Sequence, residues 1–295
     1  MARALHYVFK IGDRRASYEF YTRILHMKIL RHEEFEEGCQ ASCNGYCLGT
    51  LLSSYNVVIP YNGKWSKTMV GYGSEDDHFV IELTYNYHIK SYQMGNDYYG
   101  IYIESGYLYK SMENRGMKEK TSCGKLIVRD PDGHMFLIGN GLDSPRIVKV
   151  AVMVQNMEKS IDYWTTQLGM KITSKEKELA SMSYGDGQCE WEVRQLKTEL
   201  IRSSASGRVA FSYPDDELHE LQGKIQLAHL PIIKELVTLE TPGKANVKVI
   251  ILADPDQHEI CFVGDAGFRE LSKIDPVADQ MIRKEIEDEF SNREK

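Results

Sequence analysis

Three cysteines, Cys39, Cys43 and Cys47, recur at every fourth residue, a spacing that could gather thiolates around a metal ion. The pattern is not that of a zinc knuckle, which uses Cys-x2-Cys pairs and a second ligand pair further along the chain. The other cysteines, Cys123, Cys189 and Cys261, are scattered. Residues 1–10 lack the continuous apolar run of a secretory leader, so all six cysteines are expected as thiols in a cytoplasmic protein. Two histidines fall in a more ordered setting. His134 and His258 close the similar turns Asp130-Pro-Asp-Gly-His134 and Asp254-Pro-Asp-Gln-His258, each running into an apolar strand. Proline fixes φ there and aspartate accepts the tight bend.

Those turns are half of a longer duplication. Residues 20–29 read FYTRILHMKI and residues 163–172 read YWTTQLGMKI, and each block follows an apolar strand, 5–11 and 148–154. Asp13 and Asn156 stand where a helix would start. Apolar residues then recur at helical spacing: Ala16, Phe20 and Ile24 in one copy, Met157, Ile161, Trp164 and Leu168 in the other. Strands are expected at 66–73, 78–85, 180–184 and 189–196, and a helix after Pro214 with Leu218, Leu221 and Ile225 on one face. Residues 106–118 make a poor helix. The reading is α+β, with four βαβββ modules at about 4–90, 97–140, 146–197 and 206–265. Residues 1–142 and 143–270 form two domains, and 271–295 is a charged tail holding a surface helix.

Bulk composition excludes several functions. The 295 residues carry 42% apolar and 27% charged side chains and a net charge of −7. No basic stripe offers a path for nucleic acid, and no apolar run is long enough for a membrane helix.

The strand before Asp13, the Phe20-Tyr-x3-Leu-x-Met-Lys28 helix end, Ile81-Glu-Leu-Thr-Tyr-Asn86 and Asp130-Pro-Asp-Gly-His134 together resemble the glyoxalase, or vicinal oxygen chelate, superfamily. The resemblance covers nearly all residues up to about 275. It implies cup-shaped sheets, each made from two modules, with one metal ligand from the first strand and one from the last strand of each module. Residues 46–59 depart from the family pattern as an apolar insert, either a lineage insertion or a translated intron. The family also suggests mitochondrial association beside a cytoplasmic location.

Matched to the family, the amino-terminal half offers His6 and Glu82 as metal ligands, for zinc or nickel. Tyr98 and Leu137 stand at the other two positions, and His134 falls on the opposite strand face from Leu137. A normal tyrosine is a poor ligand at neutral pH and leucine is none. Lys10 and Asn86 match contacts to the carboxylate end of glutathione, with lysine in place of an arginine fork. The carboxy-terminal half offers Lys149, Glu192, Arg208 and Cys261. Two cations there repel a metal ion, at about 4 kcal/mol per unit charge pair 4 Å apart in an effective dielectric of 20. They form either a self-satisfied cluster or an anion pocket. The implied function is binding of a small anionic or glutathione-like molecule, or of a protein partner, with both metal sites incomplete. The alternative is lactoylglutathione lyase chemistry with Glu82 as base and Tyr98 as proton carrier. A ring-cleaving dioxygenase needs two histidines and a carboxylate, which neither half supplies.

Overall fold

The computed structural model describes residues 2–42, 44–50, 56–240 and 244–293. Module one comprises β1 (Arg3–Ile11), α1 (Arg14–Glu19), β2 (Lys28–Phe35), a ladder of β3 (Tyr46–Thr50) with β4 (Asn56–Pro60), β5 (Trp65–Gly71) and β6 (Val80–Asn86). Module two comprises β7 (Tyr98–Glu104), α2 (Gly106–Asn114), β8 (Leu126–Arg129) and β9 (Met135–Gly139). Module three holds β10 (Arg146–Val154), α3 (Met157–Asp162), β11 (Lys171–Lys175), β12 (Leu179–Ser183) and β13 (Glu190–Gln195). Module four holds β14 (Arg208–Tyr213), α4 (Leu218–Leu227), β15 (Ile232–Leu239), β16 (Val247–Ala253) and β17 (Glu259–Gly264). Two helices follow, α5 (Asp265–Leu271) and α6 (Ala278–Arg293). In module two the expected second strand is reduced to one bridge, Lys120 to Leu126.

The repeat is written into local structure. Asp13 Oδ1 accepts the Ala16 amide at 2.9 Å and Asn156 Oδ1 accepts the Lys159 amide at 3.0 Å, capping α1 and α3 alike. Both helices run on into a π-helical turn, Phe20–Ile24 and Tyr163–Gln167. Both end on a left-handed residue: Gly169 at φ 79°, and His26 at φ 55° where glycine would be easier. The aspartate turns are also twins. Asp130 Oδ1 takes the amides of Asp132 and His134, and Asp254 Oδ1 those of Asp256 and His258, all at 2.8–3.0 Å. The poor helix of module two forms because Ser105 caps it, its Oγ accepting the Leu108 amide at 3.1 Å.

Strand order overturns one expectation. The eight-stranded sheet runs β15-β16-β17-β14-β1-β6-β5-β2, and the seven-stranded sheet runs β11-β12-β13-β10-β7-β9-β8. Module one is therefore joined to module four through the antiparallel β1–β14 seam, and module two to module three through β7–β10. Each half contributes one module to each sheet, so neither half curls its own two modules into a cup. The two modules of one half instead lie back to back. Phe9 of β1 meets Tyr98 at 5.4 Å and Phe136 at 6.0 Å across one shared core. Asp132 Oδ1 takes the Gly12 amide and Asp256 Oδ1 the Gln155 amide, both at 2.9 Å, fastening the modules of each half together.

The tail is not a frayed surface helix. α6 buries Ala278, Ile282 and Ile286 against the shared core. Arg14, only 2% exposed, reaches Glu289 Oε2 and the Glu285 carbonyl at 3.2 Å each, with its guanidinium against the Tyr85 and Tyr87 rings. Within the insert, β3 and β4 pair antiparallel, Tyr46 opposite Pro60, while 51–55 lies outside the described residues. Cys39 is disulfide-bonded rather than a thiol. Cys123, Cys189 and Cys261 are free, and the Cys43 and Cys47 side chains lie outside those described. Among the described residues no helix is long and apolar enough to cross a membrane.

Candidate functional site

Strand alternation sorts the residues of the eight-stranded sheet between core and cup. On β1, Tyr7, Phe9 and Ile11 enter the shared core, which turns His6, Val8 and Lys10 to the concave face. On β6, Ile81, Leu83 and Tyr85 enter the core, leaving Glu82, Thr84 and Asn86 opposite. Val209 and Phe211 of β14, with Ile260 and Phe262 of β17, do the same for Arg208, Ala210, Glu259 and Cys261. The registers repeat across the seam: His6 pairs with Ala210 and Arg208 with Val8, while Val8 pairs with Glu82 and Ala210 with Cys261. His6, Glu82, Arg208 and Cys261 thus take the four equivalent corners of one cup. The sequence had divided them between two.

His6 Nδ1 lies 2.9 Å from Glu75 Oε1, and its Nε2 lies 3.5 Å from Glu82 Oε2. Glu75 also receives Arg31 at 2.9 Å, so a buried chain of Arg31, Glu75, His6 and Glu82 crosses the cup. Burial alone would raise the Glu75 carboxyl, but Arg31 and the His6 hydrogen bond outweigh it and hold it low. Next to them Glu33 is held by Lys67 at 2.9 Å and Lys244 at 2.6 Å. At the opposite corner Arg208 clasps Glu259, keeping that carboxylate low despite its burial. Burial pushes the Cys261 thiol up to about 12, with Arg208 pulling the other way.

Lys10, Asn86 and Arg208, the residues expected to take an anion, do converge on one end of this cup. Backbone of the chain itself sits over them. Arg208 donates to the carbonyls of Ala41 at 3.1 Å and Ser42 at 3.3 Å, and Asn86 donates to the Asn44 carbonyl at 2.9 Å. Gly45, at φ 79°, lies so close to Lys10 that a Cβ would fall 2.9 Å from its Cδ. The space left among Lys10, Ser42, Gly45, Gly207, Arg208 and Glu259 is about 20 Å³. Burial lowers the Lys10 ammonium to about 8, Glu259 only partly compensating.

The second cup has other corners than those matched by sequence. Lys149 pairs with Tyr102 and Ala151 with Gly100 on β7, and Leu137 pairs with Tyr102. By this pairing Gly100, not Tyr98, matches the place of Arg208 in the first cup, and the register shift between Ala151 and Val152 turns Tyr98 to the core. Gly100 has no side chain to spare: a Cβ there would come within 2.6 Å of Leu137 Cδ1. Tyr98 points into the shared core, donates to the Met135 carbonyl at 2.7 Å, and is raised well above its usual pKa by burial. It lies in the other sheet from Glu82 and is not brought to it. His134, stacked on Phe9 at 3.9 Å and bonded to Asp130, is in that core too. Lys149 binds Glu192 at 2.8 Å as expected, but the second cation is Arg194, at 2.6 Å from Glu192, and not Arg208. Arg194 stands two residues beyond Glu192 on the same strand face, so alternation could have found it. Glu259, two before Cys261, carried the same signal.

Solved structures give the class of this architecture. Glyoxalase I from Zea mays superposes with a TM-score of 0.71 at 23% identity, over 92% of this chain and 95% of the maize chain, a likeness of fold. Sequence relatives are much nearer. Glyoxalase 1 of Caenorhabditis elegans is 52% identical over 292 residues, covering 99% of both chains. Glyoxalase domain-containing protein 4 of Rattus norvegicus is 45% identical over 95% of this chain and 91% of the rat protein. A family model described as the glyoxalase domain-containing protein 4-like C-terminal domain matches residues 156–271. The chain belongs to the glyoxalase superfamily and, within it, to the glyoxalase domain-containing protein 4 family.

Proposed function

We propose that this is a divergent glyoxalase-fold protein that binds a small anionic or glutathione-like ligand in the His6–Glu82 cup, with weak turnover or none. The observation that carries the reading is Arg208 at a ligand corner, clasped to Glu259. A catalytic ion needs about three good donors and an open position. This cup offers an imidazole, a carboxylate, a thiol held protonated and a guanidinium, and the other offers Glu192 beside Lys149, Gly100 and Leu137. These residues do not fit a resident zinc or nickel ion. Lys10, Asn86 and Arg208 would hold the anionic end of the ligand in place of the carbonyls of Ala41, Ser42 and Asn44. In the second cup Lys149 and Arg194 are balanced by Glu192 and Glu190, which favours the structural cluster over an anion pocket.

The second reading is lactoylglutathione lyase-type isomerisation of the methylglyoxal–glutathione hemithioacetal. It is favoured by the 52% identity to the worm protein named Glyoxalase 1. Glu82 would shuttle the proton between adjacent carbons. Tyr98, on the other sheet and packed against the shared core, faces away from this chemistry.

One experiment separates the readings. Purified chain is assayed for hemithioacetal isomerisation with and without added zinc or nickel, while calorimetry measures binding of an S-blocked glutathione. Saturable binding weakened by Arg208→Ala, without turnover, supports the first reading. Metal-stimulated turnover abolished by His6→Ala and by Glu82→Gln overturns it for the lyase. Neither binding nor turnover removes the small-molecule ligand and leaves a protein partner.

A further inference from the structure

We infer that Glu75 is a positioning residue that fixes the tautomer of His6, keeping the proton on Nδ1 and turning the Nε2 lone pair into the first cup. The inference rests on the functional reading of that cup only for why the lone pair matters; the tautomer is a property of the protein alone.

Glu75 comes from the turn between β5 and β6, Tyr72-Gly-Ser-Glu-Asp-Asp-His-Phe79. Such a polar run reads as a solvated loop, and Asp76 and Asp77 are indeed exposed. Glu75 is the exception, 2% exposed and folded back under the cup. It is held at three points. Arg31 Nη2 donates to its Oε2 at 2.9 Å, Arg3 Nη1 donates to its backbone carbonyl, and its Oε1 faces His6 Nδ1 at 2.9 Å. Arg31 is itself fixed, 1% exposed and bonded to the Leu271 carbonyl at the end of α5 at 2.9 Å.

An ionised carboxylate only accepts hydrogen bonds, so the ring nitrogen facing it must be the donor. That puts the neutral-ring proton on Nδ1 and leaves Nε2 as the basic atom. Among the described residues the polar group facing Nε2 is Glu82, another acceptor, at 3.5 Å, too long for a good hydrogen bond. The Nε2 electron pair therefore faces the cup unused, available to a proton or an electrophile. Carboxylate partners set imidazole orientation and basicity in this way wherever a histidine has to present one defined nitrogen. The corresponding turn of module three uses its side chain differently: Gln188 Oε1 accepts the Ala4 amide at 3.0 Å.

The test is ring-nitrogen NMR on the full chain carrying 15N-labelled histidine, at pH 8, with the His6 signals assigned by difference from His6→Gln. The expected result is a neutral Nδ1–H ring in the wild type. In Glu75→Gln, whose amide can also donate, and in the double variant Arg31→Met/Glu75→Leu, His6 shifts to Nε2–H or to a mixture. The double variant removes the buried pair without stranding a charge. A wild-type ring that is Nε2–H or doubly protonated at pH 8 overturns the inference, as does an unchanged Nδ1–H signal in both variants. Should either variant fail to fold, the wild-type tautomer still decides. No ligand enters the measurement, so failure of glutathione binding and failure of this inference are read separately.

Discussion

Arg208 donates from both Nε and Nη2 to the same oxygen of Glu259, at 2.8 and 2.6 Å, inside the cup that also holds His6. Removing one partner of a buried pair strands the other charge, which costs on the order of 3–5 kcal/mol. Arg208→Ala is expected to lower the unfolding free energy by about that much in urea titration. The double variant Arg208→Met/Glu259→Leu should recover most of it. A loss below about 1 kcal/mol in the single variant would mean that the pair behaves as a surface contact.

Glu33 gives the acid limb of stability a definite window. Burial opposes its charge, but Lys67, Arg31 and Lys244 outweigh it and bring the carboxyl from 4.5 to about 2. A carboxylate held low in the fold stabilises above its unfolded pKa, and that contribution drains away as pH falls from about 4.5 through about 2. The shift corresponds to roughly 3 kcal/mol. Glu33→Gln should lose about that much at pH 7 and show a flatter stability profile below pH 4.5. Parallel profiles for the two proteins would contradict the assignment.

Lys10 behaves in the opposite sense at high pH. Burial brings its ammonium from 10.5 down to about 8, so the fold prefers the neutral amine. Below about 8 both states are charged and the fold carries the whole penalty, roughly 3 kcal/mol; between 8 and 10.5 the penalty disappears. Stability should therefore climb over that alkaline interval, and Lys10→Met should be the more stable protein at pH 7 and lack the climb. Equal stability of the two proteins at pH 7 would count against a penalised ammonium.

The last helix is testable by one truncated side chain. Ile282 is 2% exposed where α6 meets the shared core. Ile282→Ala should cost about 2–4 kcal/mol in urea unfolding. A cost near zero would return α6 to the status of a loosely attached tail.

Much of the fold was legible in the sequence. Helix caps, aspartate turns and most strand positions follow from local chemistry, and the duplication follows from two blocks recurring in order. The pairing of modules was not legible. β1 could meet β7 or β14 with equal local propriety, and the choice rests on contacts about 200 residues apart that no periodicity reports. The site followed the same division. His6, Glu82, Arg208 and Cys261 take mutually equivalent positions in the strand registers, yet only the seam shows that they share one cup. Tyr98 was misassigned because the irregular register beside Gly100 moves the strand face. Glu75 left no signal, since a buried acid inside Ser74-Glu-Asp-Asp77 looks like its solvated neighbours.

The crossed pairing has a consequence for how such a chain arose. Either half expressed alone would leave β1 or β14, β7 or β10, without its neighbour, an open edge in each of two sheets. Two copies of a half-length ancestor could cover those edges by associating as a symmetric dimer. In the present chain the same seams are covered within one polypeptide. Two copies within one chain are free to differ, and the first cup carries His6 where the second carries Lys149.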